Sequence, residues 1–272
     1  MTQRILLLSG KKQAGKDTTN NFLHGYLMRR AGVISAFEVD EQGRLLVNTE
    51  FLNAAGEKED GMGVFDLSRT DGEFFNYMAN KVWPYVKSYS FADELKSICM
   101  GLFGLTYDQC YGADEHKNSN SKVKWSDISF ALPPRQVGVL KKIKDGVKKF
   151  DQFLTAREFL QQFGTNFCRK VYGDCWVDFC YNQVVAEGVP FAVITDGRFP
   201  NEIDAGKAHE VKTIRFLRDV HGDKHESELA LDKYEWDEDN TFILDNSEMS
   251  IVEQNEVVLA KLAEWGWITA EV

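Results

Sequence analysis

The chain has 272 residues, 43% hydrophobic and 27% charged, a composition that excludes a wholly disordered, collagenous or coiled-coil protein. Its net charge of −10 argues against binding nucleic-acid polymers, which calls for a basic surface. The acidity is uneven: from Asp219 onward 15 acidic residues stand against Lys224, Lys233 and Lys261, a net of −12, which leaves residues 1–218 at +2.

No run approaches the roughly 18 apolar residues of a membrane span. The four-residue apolar run in MTQRILLLSGKKQ is too short for a signal-peptide core. The cysteines are Cys99, Cys110, Cys168, Cys175 and Cys180, an odd number with no C-x-x-C pair. They fit reduced thiols and a cytoplasmic location.

Residues 4–9, RILLLS, form an apolar run ending in a glycine loop, which predicts a short buried strand. A helix follows from about Lys16, with Phe22, Leu23, Tyr26 and Leu27 on one face and Arg29, Arg30 and Gly32 at its end. Residues 35–51 predict a hairpin around Glu41-Gln-Gly43, residues 53–63 a loop and residues 72–84 a helix. A second core strand spans 86–91, and a helix runs from Ala92 to about Phe103. Residues 111–151 are polar and broken, with a basic run at 141–149, and predict an insertion or mobile element. Thr155-Ala-Arg-Glu158 is a capping-box pattern, and the following Phe159, Phe163 and Phe167 recur at core spacing. Strands at 191–196, 211–217 and 241–245 and helices at 200–209 and about 248–264 complete the chain. This alternation is the pattern of an α/β fold, a parallel sheet wrapped by helices.

Gly10-Lys-Lys-Gln-Ala-Gly15-Lys16-Asp17-Thr18 fits G-x-x-x-x-G-K between a predicted strand and a predicted helix. In such a loop, glycines let the backbone turn around a phosphate chain, N–H groups and the helix dipole face the anion, and Lys16 spans the phosphates. The hydroxyl residue that ordinarily follows the lysine and binds Mg²⁺ is replaced by Asp17. Its carboxylate is itself a hard oxygen ligand, so either Asp17 binds the metal or Thr18 takes part of the role. A GTPase would carry Asn-Lys-x-Asp, but Asn80-Lys-Val-Trp83 lacks the aspartate. A mechanical ATPase would end an apolar run in two acidic residues, and FAVITD ends in one. A small-molecule kinase needs further cations to align a second anionic substrate. Lys96, Arg157, Arg169, Arg198, Arg215 and Arg218 are available, several at predicted strand ends, where α/β sheets bind ligands.

LLLSGKKQAGKDTTNNF, SFADELK, TAREFLQQFGTNFCRKVYGDCWV, VITDGRFPNEIDAG and the late ILDNSEMSIVEQ together resemble the bacteriophage deoxynucleoside monophosphate kinases. The match covers most of the chain in order and is weakest at 33–86 and 118–150. The Gly-Lys-Asp-Thr variant is typical of that family and is shared with animal-type phosphomevalonate kinases. The resemblance implies a P-loop NTPase, nucleoside monophosphate kinase-like three-layer fold, with a central five-stranded parallel sheet and an inserted helical substrate-binding lobe. Residues 1–32, 86–96 and 190–272 would be the ATP-binding core, with a lid at about 219–238. Residues 97–189 would be the monophosphate lobe and 33–85 an insertion with a β-hairpin. The implied reaction is transfer of the γ-phosphate of ATP, with Mg²⁺, to a deoxynucleoside monophosphate for DNA synthesis. The implied partners are these small molecules, with no nucleic-acid polymer and no membrane, and the implied assembly is a homodimer.

By the same resemblance Lys12, Gly15, Lys16, Asp17 and Thr18, in the loop that Gly10 opens, serve ATP; Arg218 and Lys224, after the 211–217 strand, would sit in a closing lid on the ATP side. Leu95, Lys96, Lys117, Arg157, Gln161, Gly164, Thr165, Trp176, Asp196, Arg198 and Glu202 serve the acceptor, with Lys16, Asp196 and Arg198 catalytic and Asp17 on the metal. Asp196 would hold Mg²⁺ through water, or a sugar or base edge; Trp176 either stacks on the base or is plain core. Gln13 stands where some members carry arginine. The segment His221-Gly-Asp-Lys-His225 lacks a third metal ligand in register and suits a solvated lid. The lysine run at 141–149 shows no aromatic interleaving in sequence and suits a solvated face. The other readings are a phosphomevalonate-like or dephospho-coenzyme A-like kinase and an ATP-hydrolysing binding or packaging module.

Overall fold

A computed structural model describes residues 3–52, 58–144, 147–219 and 229–269. The chain divides into two units, one made of Met1–Ser90 with Cys180–Val272, the other of Phe91–Phe179.

The first unit is built on a five-stranded parallel sheet. Its strands are β1 (Arg4–Ser9), β5 (Val86–Tyr89), β10 (Phe191–Gly197), β11 (Lys212–Phe216) and β12 (Thr241–Leu244), in the order β12-β11-β1-β10-β5. The apolar runs explain the placement: Leu6, Leu7 and Leu8 of β1 are wholly buried, as a strand covered on both faces must be. Helix α1 (Lys16–Arg30) follows β1, and α10 (Pro200–Gly206) follows β10. The last helix, α11 (Ile251–Glu264), starts at a capping box in which Ser250 and Glu253 satisfy each other's backbone N–H. Leu23, Met28, Val193, Ile214, Phe216, Val258 and Leu262 share one core.

The predicted hairpin is present as β2 (Phe37–Val39) and β3 (Leu45–Leu52), but it is part of a three-stranded antiparallel sheet. Residues 58–64, within the stretch expected to be a loop, form β4 (Lys58–Val64) against β3; residues 53–57 lie outside the described part. KEDGMGV has little strand propensity of its own, and its ladder depends on β3. Leu45 and Val47 join the core beside α1. Helix α2 (Gly72–Tyr77), capped by Asp71, continues as a π-helical turn, Met78–Val82.

The second unit has its own core of Cys99, Leu105, Cys110, Trp125, Leu132, Leu140, Leu154 and Phe159. It contains α3 (Asp93–Phe103), α4 (Tyr107–Tyr111), α5 (Asp114–Lys117), β6 (Asn120–Lys124), α6 (Pro134–Leu140), the small hairpin β7 (Ile143–Lys144) and β8 (Val147–Lys148), β9 (Phe153–Thr155) and α7 (Ala156–Gln161). Residues 111–151 are therefore mostly ordered elements rather than a mobile insertion. Trp125, Leu132 and Leu140 are spaced too widely to reveal one face in sequence, yet all three are buried. Thr155 and Glu158 make the expected capping box on α7. The chain then passes through a π-helical stretch, Gln162–Cys168, into α8 (Arg169–Val171). That widened turn stacks Phe159 on Phe163 and Phe163 on Phe167, but only Phe159 is deeply buried. Phe167 is exposed and not core. Helix α9 (Cys175–Glu187) contains the division between the units. Among the described residues no helix is long and apolar enough to cross a membrane.

Candidate functional site

The loop 10–18 leaves the carboxyl end of β1, the central strand, and enters α1 directly. Gly15, the residue before the helix, has φ 100°, and a Cβ there would lie 2.6 Å from the Gln254 amide oxygen. Only glycine fits, on both counts. Gln13 is also left-handed at φ 59°. Lys16 is buried, and its ammonium donates to the Gly10 carbonyl at 2.7 Å and the Lys11 carbonyl at 2.6 Å, which folds the side chain across its own loop. Asp17 is exposed in the first helical turn. Thr18 is partly buried, and a Cβ on Gly43 of the β2–β3 turn would meet its hydroxyl at 2.3 Å, so that hydroxyl packs against the turn. Asp17 is thus the more open of the two proposed metal ligands. Among the described residues no three His, Cys, Asp or Glu side chains gather as a metal site.

The rear of the loop is tied to the chain's last strand and helix. Asn246 donates its amide to the Ala14 carbonyl at 2.8 Å and to Gln254 at 2.6 Å. Gln254 donates to the Gly15 carbonyl at 3.3 Å and to the Thr19 hydroxyl at 2.9 Å. Arg218, expected on ATP, has its guanidinium committed to the carbonyls of Asn246 at 2.5 Å and Met249 at 2.6 Å. In this arrangement it braces the β12–α11 turn. Sequence reasoning did not single out Asn246 or Gln254, although both lie in the late block that carries the resemblance.

Two strand ends flank the loop. Arg215, at the end of β11, is buried; it donates to the Ser9 hydroxyl at 3.2 Å and lies 5.5 Å from the centre of the Trp236 ring. At the end of β10, Asp196 accepts from the Ser90 hydroxyl at 2.7 Å. Glu202 is 1% exposed and its carboxylate accepts from the N–H groups of Arg198 and Phe199, at 2.7 and 3.0 Å. It holds the backbone on which Arg198 stands rather than facing outward to a substrate. Lys11 pairs with Asp219 at 2.8 Å and approaches Asp232 at 3.9 Å. The hydrogen bond to Asp219 is the main reason its ammonium is held above the usual lysine range, burial pulling the other way. Lys12 is partly buried in the same loop. Of the expected lid, residues 220–228 lie outside the described part, and with them His221, Asp223, Lys224 and His225.

Behind the loop runs a buried polar seam. Ser88 of β5 donates to the Asn20 side chain at 2.9 Å, and His24 contacts the Asn20 carbonyl at 2.9 Å and the Ser88 hydroxyl at 3.4 Å. Burial is the main cause that lowers the His24 pKa to about 4, so the imidazole is neutral at pH 7.

The second unit brings several expected residues together. The Gly164 carbonyl accepts from the Trp176 indole at 3.2 Å, and a Cβ on Gly164 would lie 2.6 Å from Leu95. Trp176 is buried with its N–H satisfied, which is the core alternative for this residue. Lys96 lies 3.9 Å from Asp93 and 4.2 Å from the centre of the Tyr111 ring. Arg157 pairs with Asp114 at 2.8 Å. Such partly exposed pairs contribute about 0–1 kcal/mol. Gln161, Thr165 and Lys117 are partly buried, Lys117 ending α5. All five cysteines are free; burial pushes Cys99 up to about 12 and Cys168 to about 11, which leaves both inert thiols.

The basic stretch departs from its sequence reading. In three dimensions Lys124 lies over Phe153, Lys141 over Phe150 and Lys149 over Trp125, pairings made across elements and invisible along the chain. The chain matches no family model. No curated protein matches it either.

Proposed function

We propose that the protein is an ATP-dependent deoxynucleoside monophosphate kinase with a P-loop fold. One observation carries this: the glycine loop Gly10–Thr18 joins the central strand of a parallel sheet to the N-terminus of α1. Counted in chain order, the five strands run 2-3-1-4-5 across the sheet. The connections therefore leave β1 toward both edges, and ligands bind at the carboxyl ends of strands at such a switch point. The N–H groups of the loop and first helical turn suit an anion.

In this reading Lys16 leaves the Gly10 and Lys11 carbonyls to span the ATP phosphates. Asp17 would hold Mg²⁺, and Asp196 would reach it through water or hold a sugar or base edge; Mg²⁺ when bound would supply neutralisation of phosphate charge. Arg198, set by Glu202, stabilises the charge in transfer. Lys96 and Arg157 take the acceptor phosphate, with Leu95, Gly164 and Trp176 shaping the wall beside them and Gln161, Thr165 and Lys117 as further polar contacts. The acceptor phosphate is mostly dianionic at pH 7, its second pKa being about 6, so no strong general base is needed. Catalysis is positioning and electrostatics.

A coupled ADP-release assay with each deoxynucleoside monophosphate tests this. Stimulation by one or more of them is expected. Stimulation only by phosphomevalonate or dephospho-coenzyme A would replace the acceptor; DNA-dependent hydrolysis without any acceptor would replace the kinase with an ATP-driven module.

A further inference from the structure

Residues 117–151 hold nine lysines and arginines against three aspartates, a net of +6 within a chain of −10. Lys149 pairs with Glu158 at 2.8 Å. Lys122, Lys124, Arg135, Lys141 and Lys142 form no ion pair with a described residue. Elsewhere in the chain many basic side chains do have carboxylate partners, as with Lys11, Lys87, Lys207 and Lys261. These five side chains are positive charges with no carboxylate paired to them among the described residues.

The rings give the stretch a second character. The backbone N–H of Trp125 donates to the Gln152 carbonyl and that of Ser126 to the Phe150 carbonyl, at 3.1 and 2.9 Å, and Lys124 stands opposite Phe153 in the β6–β9 ladder. These bonds set 124–126 alongside 150–153. The lysine-over-ring pairs, at 5.3 Å for Lys124 and Phe153, 4.9 Å for Lys149 and Trp125, and 5.2 Å for Lys141 and Phe150, follow one another along that seam. Phe153 is 44% exposed and offers its ring to solvent, whereas Trp125 is buried.

We propose that this face of the second unit binds single-stranded nucleic acid. Cations that track phosphates, interleaved with aromatic rings that take base faces, are what such a ligand requires. A duplex hides its base faces, and a sulfated polysaccharide has none.

The test uses the full chain and a fluorescein-labelled oligothymidine of about 20 nucleotides, followed by anisotropy from about 50 to 200 mM salt. Expected are saturable binding, a log–log salt slope of about −0.7 for each phosphate neutralised, and weaker competition by heparin and by duplex DNA. Phe153→Ala removes the exposed ring of the seam, and should weaken binding by about 5- to 100-fold. Lys141→Glu with Lys142→Glu should weaken it by at least ~10-fold and flatten the salt slope. Urea unfolding checks that each variant is folded. No binding at the lowest salt would overturn the proposal. So would heparin or duplex competing as well as single strands, or an undiminished affinity in Phe153→Ala.

Discussion

His24 shows how one residue's surroundings set a property of the whole protein. Its imidazole is fully buried on α1, with a pKa lowered to about 4. The unfolded chain takes up this proton near pH 6.5, whereas the folded chain resists until about 4. Stability tied to His24 is therefore complete above pH 6.5 and is lost as pH falls toward 4, about 3 kcal/mol across the window. Urea unfolding at pH 7, 5.5 and 4 checks this: His24→Gln should start less stable and lose less over the same range. Lys16→Ala should abolish turnover while circular dichroism and melting temperature stay close to the parent, because the ammonium's bonds to the Gly10 and Lys11 carbonyls lie within its own loop. Full activity in that variant would end the kinase scheme. The position of Lys16 at the start of α1 was legible from spacing alone, since the motif is local. The roles of Arg218 and Glu202 were not, because an arginine in sequence does not reveal whether a carbonyl or a phosphate will meet it.

Helices and strands were legible where their signals are local. The capping boxes at Thr155 and Ser250 and the apolar runs at 4–9 and 191–196 need no distant partner. β4 was not legible, because its residues become a strand only through pairing with β3. Packing between elements likewise decides the effect of a glycine. Gly25 in α1 faces the β2–β3 sheet so closely that a Cβ would lie 2.2 Å from the Phe37 ring and 2.8 Å from Leu45. Gly25→Ala should destabilise the protein by about 1–3 kcal/mol, overpacking outweighing helix propensity. Gly101 in α3 is exposed, with nothing within 4 Å of a Cβ. Gly101→Ala should therefore raise stability by about 0.5–1 kcal/mol. Denaturant midpoints for the pair read both signs.

At the scale of the molecule there are two cores, one around Leu6, Val193 and Ile214 and one around Leu154 and Phe159. Scanning calorimetry should give a calorimetric enthalpy larger than the van 't Hoff value, the mark of more than one cooperative block; equal enthalpies would show one block. The charge imbalance also takes a physical form here: Asp219 and Asp232, from the acidic end of the chain, hold Lys11 of the glycine loop. By itself the sequence determined the alternation of strand and helix, the buried parallel sheet and the glycine loop, because periodicity, caps and short motifs act within a few residues. Only the tertiary structure decided that Asn246 and Gln254 brace the loop, that Arg218 serves the backbone, and that lysines and rings interleave across the second unit. Those outcomes depend on partners up to 239 residues apart, and no local pattern encodes which distant group a side chain will meet.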